Sequence, residues 1–175
     1  RYHSSNPGAT VDGFITSSHD REFLYYREGI STTVSVERQG EGLMLRVNGK
    51  VDASNVHDMN TQYLLAHLPM LLHPDPARVL VIGVGSGATS GAALSHPELE
   101  KMTCVEISPG VVEASGYFSG INRSYWEDER TTIAIDDGRN YLFRSPEQWD
   151  LISSEPSNPW IAGIGNLYTP EFYDI

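Results

Sequence analysis

The chain has 175 residues, with 23 acidic against 12 basic side chains and a formal net charge of −11. That balance argues against nucleic acid or an anionic membrane as the main partner, because phosphate binding needs a basic footprint. It suits a small cationic substrate, and 39% apolar content is enough for one moderate domain with a real core.

Residues 1–21 read as a polar leader rich in Ser and Gly. From residue 22 to 56 the pattern becomes that of a β-hairpin or small antiparallel sheet. "STTVSVE" alternates polar and β-branched residues, "RQGEG" is a turn, and "LMLRVNGKVDA" holds another strand, with Asn48-Gly49 as a tight-turn dipeptide. Residues 57–175 read as a Rossmann-like domain. Its first helix carries Met59, Tyr63, Leu64, Ala66, Leu68 and Leu71 at helical spacing, with Pro69 expected to kink or break it. Then "VLVIG" leads into a glycine turn and a helix start. "MTCVEIS" precedes a helix opening on Pro109. "TTIAIDDGRNYLF" repeats strand, acidic turn and helix, and "WDLISS" is a fourth strand.

Strands alternating with helices imply βαβ units and a parallel sheet, the α/β doubly wound class. "RVLVIG" is continuously apolar, as a strand covered on both faces must be. Cys104 is the single cysteine. It excludes an internal disulfide, fits a reducing, cytoplasmic setting, and reads as a buried structural thiol. No apolar run approaches the roughly 18 residues of a membrane helix, and no signal peptide is visible. A start at Arg1 without Met, and a stop at "EFYDI", lead us to expect a piece of a longer protein.

The glycine turn Gly83-Val84-Gly85-Ser86-Gly87 follows the first parallel strand. Glycines there allow tight turning and close approach of backbone to a ligand. The spacing is shared by several nucleotide and adenosyl-methionine folds, and a purely structural turn is the alternative. Glu106 ends the second strand, about 20 residues on, where an acid can accept both ribose hydroxyls of an adenosine ligand; the plainer reading is an exposed strand-end acid. Asp136-Asp137-Gly138 ends the third strand. One Asp can cap the next helix, while the other accepts an amino group from a base. The fourth strand ends in "SSEPSNPW", which sets Glu155 and Asn158 among prolines. In an open parallel sheet, ligands bind beyond the carboxyl ends of the strands, where strand order reverses.

These stretches, taken in order, resemble the spermidine synthases, aminopropyltransferases that use decarboxylated S-adenosylmethionine. The resemblance covers about Ser31 to Tyr173, through "LRVNGKVDA", "TQYLLAHLP", "HPDPARVLVIGVGSGATSG", "VEISPGVVEAS", "DDGRNYLF", "DLISSEPSNPW" and "NLYTPEFY". "NGKVDAS", "SEPSNPW" and "LYTPEFY" look most like the divergent branch fused to membrane-embedded segments. The resemblance implies a methyltransferase-like Rossmann fold. That family has about seven strands, so C-terminal strands are expected to be missing here.

Position by position, the resemblance places Gln62, Gly83, Gly85, Ser86, Glu106, Asp137 and Gly138 on the donor-binding side. Glu155 falls where the family has its catalytic aspartate. Asn158 and Tyr168 fall on the amine side, with Thr169 in the same loop. Ser86 stands where the family has an Asp touching the donor's amino end. Thr61 replaces a Tyr, Tyr63 an acid, and Asn158 an acid, so the diamine end carries less negative charge than the family pattern. The implied reaction is aminopropyl transfer to a diamine or polyamine. The donor, or S-adenosylmethionine or methylthioadenosine, would be a co-substrate or ligand rather than a tightly bound cofactor. A homodimer is compatible with the resemblance. Two alternatives share the fold: an S-adenosylmethionine-dependent methyltransferase, and a non-catalytic module binding an adenosyl ligand. His57, His67, His73 and His96 lack a shared metal-ligand spacing, so no metal site is expected. Trp126, Trp149 and Trp160 read as core or loop anchors.

Overall fold

The structure, a computed structural model, describes residues 21–30, 32–155 and 164–174. The expected leader through residue 20, Asn158 and Trp160 lie outside them. Arg21, the last leader residue in the reading above, opens the first strand.

Strands β1 (Arg21–Glu28), β2 (Thr33–Gln39), β3 (Gly42–Val47) and β4 (Lys50–Ser54) form an antiparallel sheet in sequential order. The Asn48-Gly49 turn closes β3 onto β4 with both residues at positive φ, 51° and 79°, as a tight hairpin requires. Val34, Val36, Leu45 and Ala53 form its buried face. They share one core cluster with Val111, Ala114 and Phe118 from the parallel half.

That half contains α1 (Met59–Leu72), β5 (Arg78–Ile82), α2 (Ala88–Ala93), β6 (Lys101–Glu106), α3 (Pro109–Ser115), α4 (Ser119–Asn122), β7 (Thr131–Ile135), α5 (Gly138–Arg144), β8 (Leu151–Ser154) and α6 (Pro170–Tyr173). The sheet order is β7-β6-β5-β8, all parallel. Strand order therefore reverses beside β5, the switch point at which ligands of open parallel sheets bind.

The apolar run of β5 has a direct physical reading. Val79 and Val81 point into the core cluster beneath α1 and α2. Leu80 and Ile82 point the other way, into a second cluster with Val105 and Phe172. A strand buried on both faces cannot alternate in polarity. Phe172 brings α6 onto this second face, and Trp149 packs there against Tyr141. Cys104 is fully buried beside Ser90, and burial pushes its thiol up to about 12, so it is the structural thiol expected.

Pro69 does not end α1, which continues to Leu72. A proline cannot donate to the carbonyl four residues earlier. Here the carbonyl of Leu65 accepts from the Ser153 hydroxyl of β8 at 3.1 Å instead, so the missing helical bond ties α1 to the sheet.

Gly91 makes α2 fit. A Cβ there would lie 2.4 Å from the backbone oxygen of Asn122 and 2.5 Å from its carbonyl carbon. Gly120 in α4 has nothing within 4 Å of such a Cβ. Alanine is the better helix former by about 1 kcal/mol, but forcing atoms into a packed site costs about 1–3 kcal/mol. Gly91→Ala should therefore destabilise the protein in urea titration, while Gly120→Ala should leave it unchanged or slightly more stable.

Candidate functional site

The carboxyl ends of the parallel strands meet in register. Ile82 pairs with Val105 on one side and with Ser154 on the other. Gly83 N–H continues the ladder to Val105 O at 2.9 Å, and Glu155 N–H continues it to Ile82 O at 3.0 Å. The glycine turn and Glu155 therefore leave the sheet side by side.

Gly83, Gly85 and Gly87 all have positive φ, 89°, 53° and 79°, which other residues adopt only at a cost. A Cβ on Gly87 would also lie 2.7 Å from the Tyr125 ring. The turn is held from behind by Asn122. Its buried amide donates to Ser86 O and Ser115 O, both at 2.8 Å.

Glu106 is buried at the end of β6. Its Oε2 accepts from Val84 N–H at 2.9 Å and its Oε1 from Ser108 N–H at 2.9 Å. It thus fastens the glycine turn to the next loop. Each carboxylate oxygen has two acceptor sites, so this role leaves acceptor capacity for a hydroxyl pair. Burial pushes the Glu106 carboxyl above the usual range. The backbone N–H bonds oppose this, and nearby Asp52 adds to it.

Asp137 is the capping acid of the acidic pair. Its Oδ1 accepts from Asn140 N–H at 2.8 Å at the start of α5. Asp136 is engaged by Asp137 N–H and by an ion pair with Arg144. The cap bond uses one oxygen of Asp137, leaving its second oxygen outside that bond. Gly138 is forced by packing, since a Cβ would lie 2.5 Å from Ile82 Cγ2.

The opposite wall comes from the β4–α1 connection. Gln62 is buried; its amide donates to Ser54 O at 3.1 Å, and its carbonyl oxygen accepts from the Ser86 hydroxyl. Ser86 is itself fully buried and turned onto Gln62 rather than into the crevice. Asp58 accepts from Ser54 N–H at 3.0 Å and from its hydroxyl at 2.5 Å, which locks the connection.

Thr89, in the first turn of α2, donates to Gln62 O at 2.9 Å and lies 3.3 Å from Glu155 Oε2. Glu155 as a residue is open to solvent. Even so, crowding at its carboxyl raises its pKa: desolvation leads, Thr89 opposes it, and Asp58 and Asp52 add to it. Tyr168 follows in the 3-10 turn Ile164–Tyr168, anchored by Phe172. Its phenol is raised by burial first, then by Tyr173 and by Glu155, so it lies within electrostatic range of Glu155.

The structure therefore gathers Gln62, the glycine turn, Glu106, Glu155 and Tyr168 around one end of the sheet. Asp52, Asp58, Thr89 and Asn122 were missed by sequence reasoning. Asp52 and Asp58 had a faint trace as acids flanking the β4–α1 turn; Thr89 and Asn122 had none. His67 Nδ1 and His96 Nε2 meet at 2.9 Å away from these groups, between α1 and the end of α2. Among the described residues no three metal-capable side chains converge, and no helix is long and apolar enough to cross a membrane.

Residues 59–175 match the family model of the spermine/spermidine synthase domain. The chain belongs to that family. It is 33% identical over 165 residues to a polyamine aminopropyltransferase of Archaeoglobus fulgidus, covering 94% of this chain and 60% of that one. It is 35% identical over 141 residues to a polyamine aminopropyltransferase of Bacillus subtilis, covering 79% and 50%. A solved spermidine synthase in complex with the transition-state analogue AdoDATO superposes with a TM-score of 0.79 at 28% identity, over 86% of this chain and 52% of that one. The chain thus spans about half to three-fifths of the length of these spermine/spermidine synthase relatives.

Glu106 gives this family member a testable linkage. Its folded pKa lies above the ordinary glutamate value, with burial as the largest cause. A raised folded pKa contributes stability that is present below the unfolded pKa and is lost as pH rises through the folded one. Glu106→Gln removes this titration. Wild type should lose stability relative to Glu106→Gln as pH rises through that window, read by urea midpoints at several pH values. The opposite slope would mean that the backbone donors outweigh burial.

Proposed function

We propose that this chain transfers an aminopropyl group from decarboxylated S-adenosylmethionine to a small cationic amine. The observation that carries the reading is the Glu155 carboxylate. It stands at the end of β8 against Thr89, next to the glycine turn, in a chain whose family relatives are polyamine aminopropyltransferases. The transition-state analogue bound by the neighbouring spermidine synthase supports the same co-substrate class.

In this reading Glu106 accepts the ribose hydroxyls with its remaining lone pairs. Asp137 meets the adenine with the oxygen not used in capping, and Gln62 and the glycine turn line the donor. Ser86 contributes no charge and is bound to Gln62. The negative field facing a cationic donor and amine comes instead from Asp52, Asp58 and Glu155. By the family resemblance, Tyr168 and Asn158, the latter outside the described residues, would serve the amine.

The sulfonium donor is already activated, so the protein's task is alignment and proton removal. The amine nitrogen attacks the methylene beside sulfur. A C–N bond forms, the C–S bond breaks, and sulfur takes the electron pair to become the neutral thioether methylthioadenosine. An ammonium has no lone pair, so the Glu155 carboxylate takes one proton from the reacting amine before attack, and the secondary ammonium formed with the new C–N bond keeps the positive charge. Positive charge moves from sulfur to nitrogen during the step, and the carboxylates around the crevice favour that cation throughout.

The test uses the chain with decarboxylated S-adenosylmethionine and a diamine, with product followed by mass spectrometry and methylthioadenosine binding by calorimetry. Glu155→Gln should lower the transfer rate by about 10²–10⁴ and leave methylthioadenosine affinity nearly unchanged. Glu106→Gln should do the reverse at the binding step, weakening methylthioadenosine about tenfold or more through loss of a charged acceptor. Transfer by wild type should also fall as pH drops through the raised pKa of Glu155, because the protonated carboxyl accepts no proton. A chain that methylates an acceptor with intact S-adenosylmethionine, and does not transfer aminopropyl, would overturn the assignment.

A further inference from the structure

Thr89 is buried in the first turn of α2, and its single hydroxyl faces two acceptors. Gln62 O lies 2.9 Å away and Glu155 Oε2 lies 3.3 Å away. A hydroxyl has one proton to donate and lone pairs to accept with, so it serves one of these acceptors at a time. The carbonyl of Gln62 sits inside α1, where the regular helical bond also supplies it. It tolerates loss of the hydroxyl, whereas a carboxylate in a crowded site does not.

We propose that Thr89 is the positioning residue for Glu155, its hydroxyl turning between the Gln62 carbonyl and the Glu155 carboxylate as Glu155 gains and loses a proton. When Glu155 is ionised, the Thr89 O–H points at Oε2 and fixes the carboxylate beside the glycine turn. When Glu155 has taken a proton, its own O–H donates to Thr89 Oγ1, and Thr89 turns its hydrogen to Gln62 O. Thr89 neither gains nor loses a proton. The proton that leaves the amine nitrogen ends on the Glu155 oxygen, and the hydroxyl only changes partner. The arrangement rests on the reading of Glu155 as the base, and it adds the group that holds this base.

The charged and titratable groups facing Glu155 set the conditions. Asp58 before α1 and Asp52 on β4 disfavour the carboxylate, and the phenol of Tyr168 stands in the field of Glu155. Against them, among the described residues, Thr89 donates to the carboxylate and favours its ionised form. Because α1 supplies the alternative acceptor, the same hydroxyl also couples the position of α1 to the protonation of Glu155.

Thr89→Val keeps the shape and removes the hydroxyl; Thr89→Ser keeps the hydroxyl and removes the methyl. The first readout needs no activity. Glutamate labelled with 13C at the side-chain carboxyl is titrated by NMR in the full chain, with Glu155→Gln identifying the Glu155 resonance. The Glu155 pKa should move upward in Thr89→Val and return towards wild type in Thr89→Ser. The second readout is transfer. The acid limb of the pH–rate profile should move upward in Thr89→Val, with kcat at neutral pH about tenfold lower or more and methylthioadenosine affinity unchanged. Thr89→Ala repeats the removal if the valine variant does not fold. A Glu155 titration that stays in place or moves downward in both removal variants overturns the proposal, as does failure of serine to restore it. Absence of transfer by wild type overturns the proposed activity instead, and the NMR titration still decides the role of Thr89.

Discussion

Strand β5 is hydrogen-bonded along both edges, to β6 through five residue pairs and to β8 through four. It is also buried on both faces, so it can neither slide nor tilt without breaking two ladders and uncovering two clusters. A one-residue slip would turn Val79 and Val81 into the cluster of Leu80 and Ile82 and reverse every packing contact. The chain ends of the sheet inherit this constraint. The glycine turn, Glu106 and Glu155 leave their strands at one level because β5 fixes the level of its two neighbours.

On that frame the protein sets carboxylates close to one another. Glu106 and Glu155 are both raised first by desolvation of the carboxyl, Glu106 through burial and Glu155 through crowding, and Asp52 acts on both. Holding negative charge in such a place is unfavourable unless donors or cations answer it. For Glu106 the answer is internal, from Val84 and Ser108. For Glu155 the answer among the described residues is the hydroxyl of Thr89. A cation beside these carboxylates would relieve the same repulsion, which is the charge pattern the proposed sulfonium donor and amine would need.

Helix α1 links this electrostatics to the scaffold. Its N-terminal half presents Gln62 to Ser86 and Ser54. Its middle, where Pro69 leaves the Leu65 carbonyl without a helical donor, is pinned to β8 through Ser153. Within one turn, Gln62 and Leu65, the helix thereby touches both the glycine turn and the strand that leads into Glu155. The proline that the sequence suggests as a break is accommodated because β8 supplies the replacement hydrogen bond.

The four parallel strands, the glycine turn after β5, Glu106 at the end of β6 and the acid pair before α5 are all written in local patterns. An apolar run of five, glycines at positive-φ positions and acids at strand ends need no knowledge of distant residues to be recognised. The sequence alone therefore determined the class of the fold and the side of the sheet on which the crevice lies. It did not determine which acid of the pair caps α5, nor that Ser86 would spend its hydroxyl on Gln62. Nor did it reveal Thr89, Asn122, Asp52 and Asp58 as parts of the site. Thr89 is 66 residues from Glu155 and 27 from Gln62 in the chain, and no periodicity relates them. Only the packing of α1 and α2 across the switch point brings them together. A hydroxyl or amide acquires its role from the acceptors within about 3 Å of it, and that distance is set by the tertiary fold.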